Sequence, residues 1–194
     1  VIHGSSGGEV HHLIKYLVNE VQRLRGTHVD LEVLTQENPR ASSSSSIWLI
    51  PLFLLPGKHV QNDIPKIFQR LCNEGIETKL LPFLGCWPYW LSTLKYLVEM
   101  ESKVGDPVLV HHPLRTEVGL NYLSDLKKRL QIPIIPWTEW HEYANKSQKQ
   151  YSPIPFSLAP NQNTRNLRNG DSISSLLEID FFLFGLIRTL TLLP

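Results

Sequence analysis

Short apolar runs alternate with amphipathic helical segments along this 194-residue chain, and this alternation constrains its fold more than any other feature. Seven apolar residues recur at helical spacing over residues 10–24, and Gly26 follows them as a helix stop. The run at residues 47–55 is apolar on both faces, which is typical of a central parallel strand. Helical spacing returns over residues 64–72. The alternation predicts an α/β fold with a parallel sheet flanked by helices.

Weaker patterns complete the first half of the chain. Asn62 and Asp63 are predicted to cap the second helix, and Pro65 falls in its first turn. The five serines that precede residue 47 predict a flexible polar loop. Two more strands are predicted at residues 29–34 and 78–83, and a third helix at residues 91–98.

The pattern restarts after a polar segment at residues 103–107, which we interpret as a boundary. Residues 1–102 are predicted to form one complete half-domain, and residues 107–194 a diverged second half. The predicted second half comprises a strand at 108–111, a helix at 116–130, a strand at 132–135, an irregular connection at 138–171 and a C-terminal helix at 174–193.

The composition excludes several classes of protein. The chain is 42% hydrophobic with a net charge of +1, so we expect a globular core and no nucleic-acid partner. Two cysteines cannot form a disulfide framework, which favours a reducing, cytoplasmic location. The longest apolar stretch is far shorter than the roughly 20 residues of a membrane-spanning helix, so no membrane partner is expected. Because only two residues precede His3, we expect further residues upstream of Val1.

A turn rich in glycine and serine follows the first predicted strand, at residues 3–8, and begins with His3. Glycines allow a ligand to approach the backbone, and the N-terminus of the following helix favours anions. The turn lacks the Gly-Lys-Ser/Thr of a Walker loop and the spacing of a dinucleotide-binding fingerprint. An ordinary strand-to-helix turn is the alternative interpretation.

A second polar turn, residues 56–63, follows the predicted buried strand and contains His59. Because the carboxyl ends of parallel strands lie at one edge of a sheet, His3 and His59 are predicted to face the same crevice. Neutral imidazoles bind Fe, Co, Ni and Zn, and two protein ligands leave coordination positions open. The alternative for His59 is a loop histidine that is hydrogen-bonded to the backbone.

Two motifs resemble the class II tetrapyrrole chelatases, the CbiX/SirB-type sirohydrochlorin chelatases. The first is Ile2-His3-Gly4-Ser5, and the second is IPLFLLPGKHVQNDIP at residues 50–65. The resemblance covers roughly residues 1–100 and implies a chelatase-like sheet. It also implies that His3 and His59 bind a divalent metal and carry out catalysis. The implied reaction inserts Fe²⁺ or Co²⁺, with Ni²⁺ as a further candidate, into a sirohydrochlorin-type tetrapyrrole for siroheme or cobalamin biosynthesis.

The resemblance also implies how the substrate is held. The tetrapyrrole carries many carboxylates, so cationic side chains and backbone N–H groups are expected to line its pocket. Lys58, which adjoins His59, is the first candidate, followed by Arg40 and Ser5. A solvated surface charge is the alternative for Lys58 and Arg40. The resemblance implies that the metal is a substrate, and no organic cofactor is expected. The chain is predicted to act as a monomer or homodimer.

The sequence departs from the family pattern in four places. Thr35 stands where many members have a glutamate, and residues 6–8 replace an Arg-Asp-Pro sequence. The serine-rich loop replaces a helix, and residues 85–88 read Gly-Cys-Trp-Pro where the family has Gly-x-His-Pro. These departures suit the first of two alternatives to a chelatase. The first is a non-catalytic metal or tetrapyrrole carrier on the same fold, and the other is an α/β domain whose histidines are structural.

The other notable histidines are not predicted to bind metal. His11 and His12 lie on the polar side of the first predicted helix, where solvent exposure is expected. His111 and His112 end a strand of the second half, in a place analogous to His3, and are interpreted as a decayed copy of the first site. His141 lies among aromatic and acidic residues, and packing is its expected role.

Overall fold

The computed structural model describes residues 1–4, 9–35, 45–146, 148–165, 167 and 175–193. The chain divides into two compact units, which are described separately below. One unit comprises Val1–Trp87 and Leu183–Pro194, and the other comprises Pro88–Phe182. No helix among the described residues is long and apolar enough to cross a membrane.

Parallel hydrogen bonding connects the strands of the first unit. The Ile2 amide donates to Glu32 O and the Leu34 amide donates to Ile2 O, each over 3.0 Å. On the other side of this segment, the Leu52 amide donates to Val1 O over 2.9 Å. The elements of the unit are α1 (His12–Arg25), β1 (Ser46–Leu49), a π-helix (His59–Asp63), α2 (Ile64–Asn73), β2 (Glu77–Leu80) and a 3₁₀ turn (Leu84–Cys86). β1 and β2 pair in parallel, with Ile47 opposite Thr78.

Helix α1 confirms the predicted amphipathic segment. The ring of His11 caps its start, where Nδ1 accepts a hydrogen bond from the Leu13 amide over 3.3 Å. The helix buries Ile14, Leu17 and Val21 on one face. Gly26 ends it, as predicted, in the left-handed conformation at a φ of 66°.

Three predicted strands of the first unit are shorter than expected. The strand predicted at residues 78–83 is regular only over Glu77–Leu80. The predicted strand at residues 47–55 is regular only over Ser46–Leu49. Pro51 has no amide hydrogen for the ladder, and its carbonyl accepts from the Leu84 amide at 3.0 Å. The segment after β1 is therefore held by hydrogen bonds to both Val1 and Leu84, and it forms no regular strand. The strand predicted at residues 29–34 contributes a single parallel bridge, between Val33 and Ile2.

The start of α2 differs from the prediction. Helix α2 buries Ile64, Ile67 and Leu71, which confirms its amphipathic face. The predicted cap by Asn62 and Asp63 is wrong, because both residues belong to the π-helix and Asp63 makes no capping hydrogen bond. The helical path therefore continues from the π-helix into α2 without the extended backbone that a capping residue adopts.

The second unit contains a three-stranded parallel sheet with β3 in the centre. Its elements are α3 (Pro88–Glu101), β3 (Asp106–His111), α4 (Glu117–Leu130), β4 (Ile134–Pro136), α5 (Trp140–Asn145), β5 (Tyr151–Pro155) and α6 (Gln162–Arg165). The strand order is β4-β3-β5. Val108 and Leu109 of β3 are completely buried, as expected for a central strand. Helix α4 confirms the prediction, with Thr116 accepting from the Gly119 amide at its start.

The prediction of an irregular connection at residues 138–171 is wrong. Helix α5 and strand β5 lie within it. Strand β5 pairs with β3 in a register that places Tyr151 opposite Asp106 and Pro155 opposite Val110. Pro153 and Pro155 made this strand unpredictable from the sequence, because proline has no N–H group to donate a hydrogen bond to a neighbouring strand. β5 lies at the edge of the sheet, where proline is tolerated. The predicted C-terminal helix is present as α7 (Asp180–Thr191).

Candidate functional site

His3 and His59 lie against each other in the first unit. Their ring centroids are 4.4 Å apart, and the ring planes meet at 72°. His3 directly follows the Ile2 bridge, and His59 begins the π-helix that follows the β1 segment. The His3 side chain is exposed and that of His59 is 42% exposed, so both imidazoles are open to solvent.

Gly4 allows the backbone after His3 to lie close to the neighbouring segment. Its φ of 82° falls in the left-handed region, which favours glycine. A Cβ atom at this position would lie 2.3 Å from Val33 Cγ1 and 2.5 Å from Thr35 Oγ1. Any side chain here would therefore collide with Val33 and Thr35 unless those side chains or the backbone shifted.

Hydrogen bonds fix the same tautomer in both imidazoles. The His3 Nδ1 lies 2.7 Å from Gly4 O, and the His59 Nδ1 lies 2.6 Å from the Asp63 Oδ2 atom. A carbonyl oxygen and an ionised carboxylate only accept hydrogen bonds, so each Nδ1 carries the hydrogen. In the neutral form of each ring, the Nε2 atom then keeps a lone pair, and this is the form of imidazole that binds a metal ion.

Asp63 is the residue of this site whose role the sequence analysis missed. The sequence assigned it to helix capping, whereas its carboxylate accepts from His59 across one turn of the π-helix. Single π-helical turns occur frequently at functional sites. The spacing of four residues between a histidine and an aspartate was the available signal, since such pairs are neighbours on a helix. The Phe53 ring also stacks on His59, with 6.2 Å between the two ring centroids.

A cavity of about 350 Å³ adjoins His59 and carries charges of both signs. Arg70 donates to Glu32 at 2.7 Å and to Glu74 at 3.1 Å, so its charge is engaged by carboxylates. Lys66 is exposed, and the sequence analysis did not identify it. The cavity is lined by Glu32, Val33, Leu34, Thr35, His59, Asp63, Lys66, Ile67 and Arg70.

Thr35 lies in the wall of this cavity, at the place where a family glutamate was expected. Its Oγ1 atom is buried and has no hydrogen-bond partner. Within the part of the chain that the structure describes, no group of three or more His, Cys, Asp or Glu residues is arranged to hold a metal ion. Of the residues predicted to bind metal, the structure brings the imidazoles of His3 and His59 together.

Of the three predicted substrate-binding residues, the structure describes only Lys58. Ser5 and Arg40 lie outside the described residues. Lys58 is exposed and immediately precedes the π-helix. It does not belong to the set of residues that lines the cavity, whereas Lys66 does.

His111 occupies the end of β3 in the second unit. It is only 5% exposed, and its Nδ1 donates to His112 O over 2.7 Å. Burial lowers the pKa of the His111 imidazole below its ordinary value of 6.5. The adjacent His112 packs on Trp137, with 4.6 Å between the ring centroids.

Comparison with known proteins gives one family and one similar structure. The CbiX family matches residues 1–100, a stretch that includes both His3 and His59. The chain is similar to the crystal structure of the sirohydrochlorin chelatase SirB from Bacillus subtilis subspecies spizizenii in complex with cobalt. The two share 15% sequence identity and a TM-score of 0.62, over 98% of this chain and 92% of that one. This likeness confirms the predicted α/β fold with parallel strands flanked by helices. No curated protein matches the sequence.

Proposed function

Because this chain belongs to the CbiX family, we propose that it is a sirohydrochlorin chelatase, which inserts Fe²⁺ or Co²⁺ into a sirohydrochlorin-type tetrapyrrole. The observation that carries the proposal is the contact between His3 and His59, whose tautomers leave both Nε2 atoms able to bind a metal. The product would serve siroheme or cobalamin biosynthesis. The similar SirB structure, which contains cobalt, supports a divalent metal as the substrate.

In the proposed first step, His3 and His59 replace two water molecules of a hydrated divalent ion. Imidazole nitrogens suit Fe²⁺, Co²⁺ and Ni²⁺, and their affinities rise in that order. Two protein ligands leave the other coordination positions to water. The ion is therefore held at a solvent-open place from which the nitrogens of an incoming macrocycle can take it.

In the proposed second step, the macrocycle nitrogens replace the waters and then the imidazoles. Metal insertion releases two N–H protons from the macrocycle. The two positive charges of the ion replace those of the two protons, so the charge of the macrocycle does not change. An imidazole that has released the metal is a base close to the reacting nitrogens and accepts one proton. The second proton passes to solvent, which reaches the site because both histidines are exposed to it.

The cavity beside His59 is where we propose that a substrate carboxylate binds. Lys66 lines this cavity, and its ammonium group is suited to a carboxylate partner. Arg70 is already engaged by Glu32 and Glu74, so Lys66 is the better candidate of the two. Lys58, Arg40 and Ser5 remain proposed contacts for the other carboxylates of the macrocycle.

A non-catalytic carrier of metal or tetrapyrrole is the second candidate function. It is favoured by Thr35, which places a neutral hydroxyl in the cavity where many family members have a glutamate. A carrier binds its ligand once and stops, whereas a chelatase turns over. The two functions therefore differ in the stoichiometry of product to protein.

The test is an anaerobic absorbance assay that mixes sirohydrochlorin with Fe²⁺, Co²⁺ or Ni²⁺ and a catalytic amount of protein. A chelatase forms many equivalents of metallated product, and the His3→Ala and His59→Ala variants lose this activity. His28→Ala is the matched control, because His28 is another exposed histidine that pairs with an aspartate, Asp30, at 2.9 Å. A rate no higher than the spontaneous background with every metal would exclude the chelatase.

A further inference from the structure

We propose that Asp63 is a positioning residue that makes His59 the stronger of the two metal ligands and leaves His3 as the ligand that releases the metal first. This inference rests on the proposed function, because it assigns different roles to the two histidines of the same site. The observation behind it is that the two imidazoles have different partners at Nδ1.

The partner of His59 is an ionised side chain, and the partner of His3 is a neutral backbone group. His59 Nδ1 donates to the Asp63 carboxylate over 2.6 Å, whereas His3 Nδ1 donates to Gly4 O over 2.7 Å. Hydrogen bonds to a charged acceptor are roughly twice as strong as neutral ones. A carboxylate at Nδ1 also makes the Nε2 atom a better donor to a metal. The electronic effect therefore favours the bond from His59.

The orientation of His59 is also more tightly determined. Its Nδ1 is bonded to the Asp63 carboxylate, and the Phe53 ring stacks on it at an interplanar angle of 25°. The π-helix carries both residues four positions apart, so its backbone keeps the carboxylate within reach of the ring. His3 has a backbone partner next to it in sequence and an exposed side chain. A fixed ring loses less conformational entropy when it binds a metal.

A role in helix capping does not account for Asp63. Its backbone is helical, at a φ of −83° and a ψ of −40°, and its side chain makes no capping hydrogen bond. The hydrogen bond that the structure gives its carboxylate is the one to His59. The Asp63 side chain is 38% exposed, and both Asp63 and His59 line the cavity.

This asymmetry gives metal transfer an order. The bond from the metal to His3 Nε2 breaks first as a bond to a macrocycle nitrogen forms. The free His3 imidazole can then accept the proton that leaves that nitrogen. The bond to His59 breaks last and keeps the ion in place while the macrocycle engages it.

The first arm of the test measures Co²⁺ binding to the 194-residue chain by anaerobic titration. Asp63→Asn keeps the size of the side chain and removes its charge, and we expect the dissociation constant to rise about 10- to 100-fold. Asp30→Asn is the matched control, because it alters the exposed aspartate partner of His28. We expect that variant to bind Co²⁺ as the unmodified protein does. His59→Ala is expected to lose more affinity than His3→Ala.

The second arm needs no metal. Nitrogen-15 NMR of the metal-free protein is expected to show His59 protonated at Nδ1, and Asp63→Ala is expected to give a mixture of tautomers. Unchanged Co²⁺ affinity in Asp63→Asn, or an unchanged His59 tautomer in Asp63→Ala, would overturn the assignment. If the unmodified protein binds no Co²⁺, the proposed function fails together with this inference. If it binds Co²⁺ and Asp63→Asn binds it equally well, the inference alone fails.

Discussion

The edge of one imidazole, His3 or His59, meets the face of the other, with 4.4 Å between their ring centroids. The contact joins the end of the first strand segment to the π-helix that precedes α2. It depends on the close backbone approach at Gly4, which brings residues 33–35 against the chain after His3. The predictions below test the parts of this arrangement separately.

Replacing Gly4 by alanine is expected to damage both the fold and the site. The added Cβ would lie 2.3 Å from Val33 Cγ1 while the backbone keeps a positive φ, so overpacking adds to backbone strain. We expect a loss of about 2–4 kcal/mol in the free energy of unfolding, measured in urea, together with weaker Co²⁺ binding.

Gly26→Ala is the control for this effect. Gly26 also has a positive φ, but nothing lies within 4 Å of an added Cβ. This variant should lose only the strain contribution of about 1–2 kcal/mol and keep its Co²⁺ affinity. Equal losses in the two variants would show that crowding at Gly4 has no part in the site.

Replacing Lys66 by glutamine is expected to weaken substrate binding without slowing the chemical step. An exposed pair between an ammonium and a carboxylate contributes about 0.2–1 kcal/mol, so KM for the tetrapyrrole should rise by up to about fivefold. Steady-state kinetics at saturating metal measure this change. Lys15→Gln, an exposed lysine on α1, should leave KM unaltered. A lower kcat with unchanged KM would contradict this role for Lys66.

Stability is expected to fall in mild acid because of His111. Burial lowers the pKa of this imidazole, so the unfolded chain binds more protons than the folded chain just below pH 6.5. The contribution is therefore fully present above about pH 6.5 and is lost as the pH falls below it. Urea unfolding between pH 7.5 and 5 should show a shallower decline for His111→Gln than for the unmodified protein. The same decline in both proteins would assign the effect to other groups.

Replacing Ile154 by alanine tests the packing of β5, the strand that the sequence analysis did not predict. Ile154 lies on β5 and is 2% exposed, so Ile154→Ala should cost about 2–5 kcal/mol of unfolding free energy. Val104, which is 62% exposed, provides the control, and Val104→Ala should change stability by less than about 0.5 kcal/mol. A loss that small for Ile154→Ala would contradict the packing of β5.

The sequence predicted the meeting of His3 and His59 because parallel strands end at one edge of a sheet. That argument needs only the order of the strands and helices. The hydrophobic patterns of α1 and α2 were strong enough to reveal this order. The strand lengths were less predictable, because Pro51 interrupts an apolar run without changing its hydrophobicity.

The interaction of Asp63 and the existence of β5 were not predictable for different reasons. An aspartate before a helix is usually a cap, and the sequence does not reveal that a π-helical turn takes its place. Prolines at 153 and 155 argue against a strand unless it is known to lie at the sheet edge. Both features depend on tertiary context, which local sequence patterns do not contain.

The most direct test of the central claim is a single-turnover transfer experiment. Protein loaded anaerobically with one equivalent of Co²⁺ is mixed with sirohydrochlorin in a stopped-flow spectrometer, and the rate is compared with that of free Co²⁺. If His3 and His59 hold the ion for delivery, the metallated product forms in one-to-one yield and faster than from free Co²⁺. The His28→Ala protein should behave identically. Formation at or below the rate of free Co²⁺ would contradict the claim.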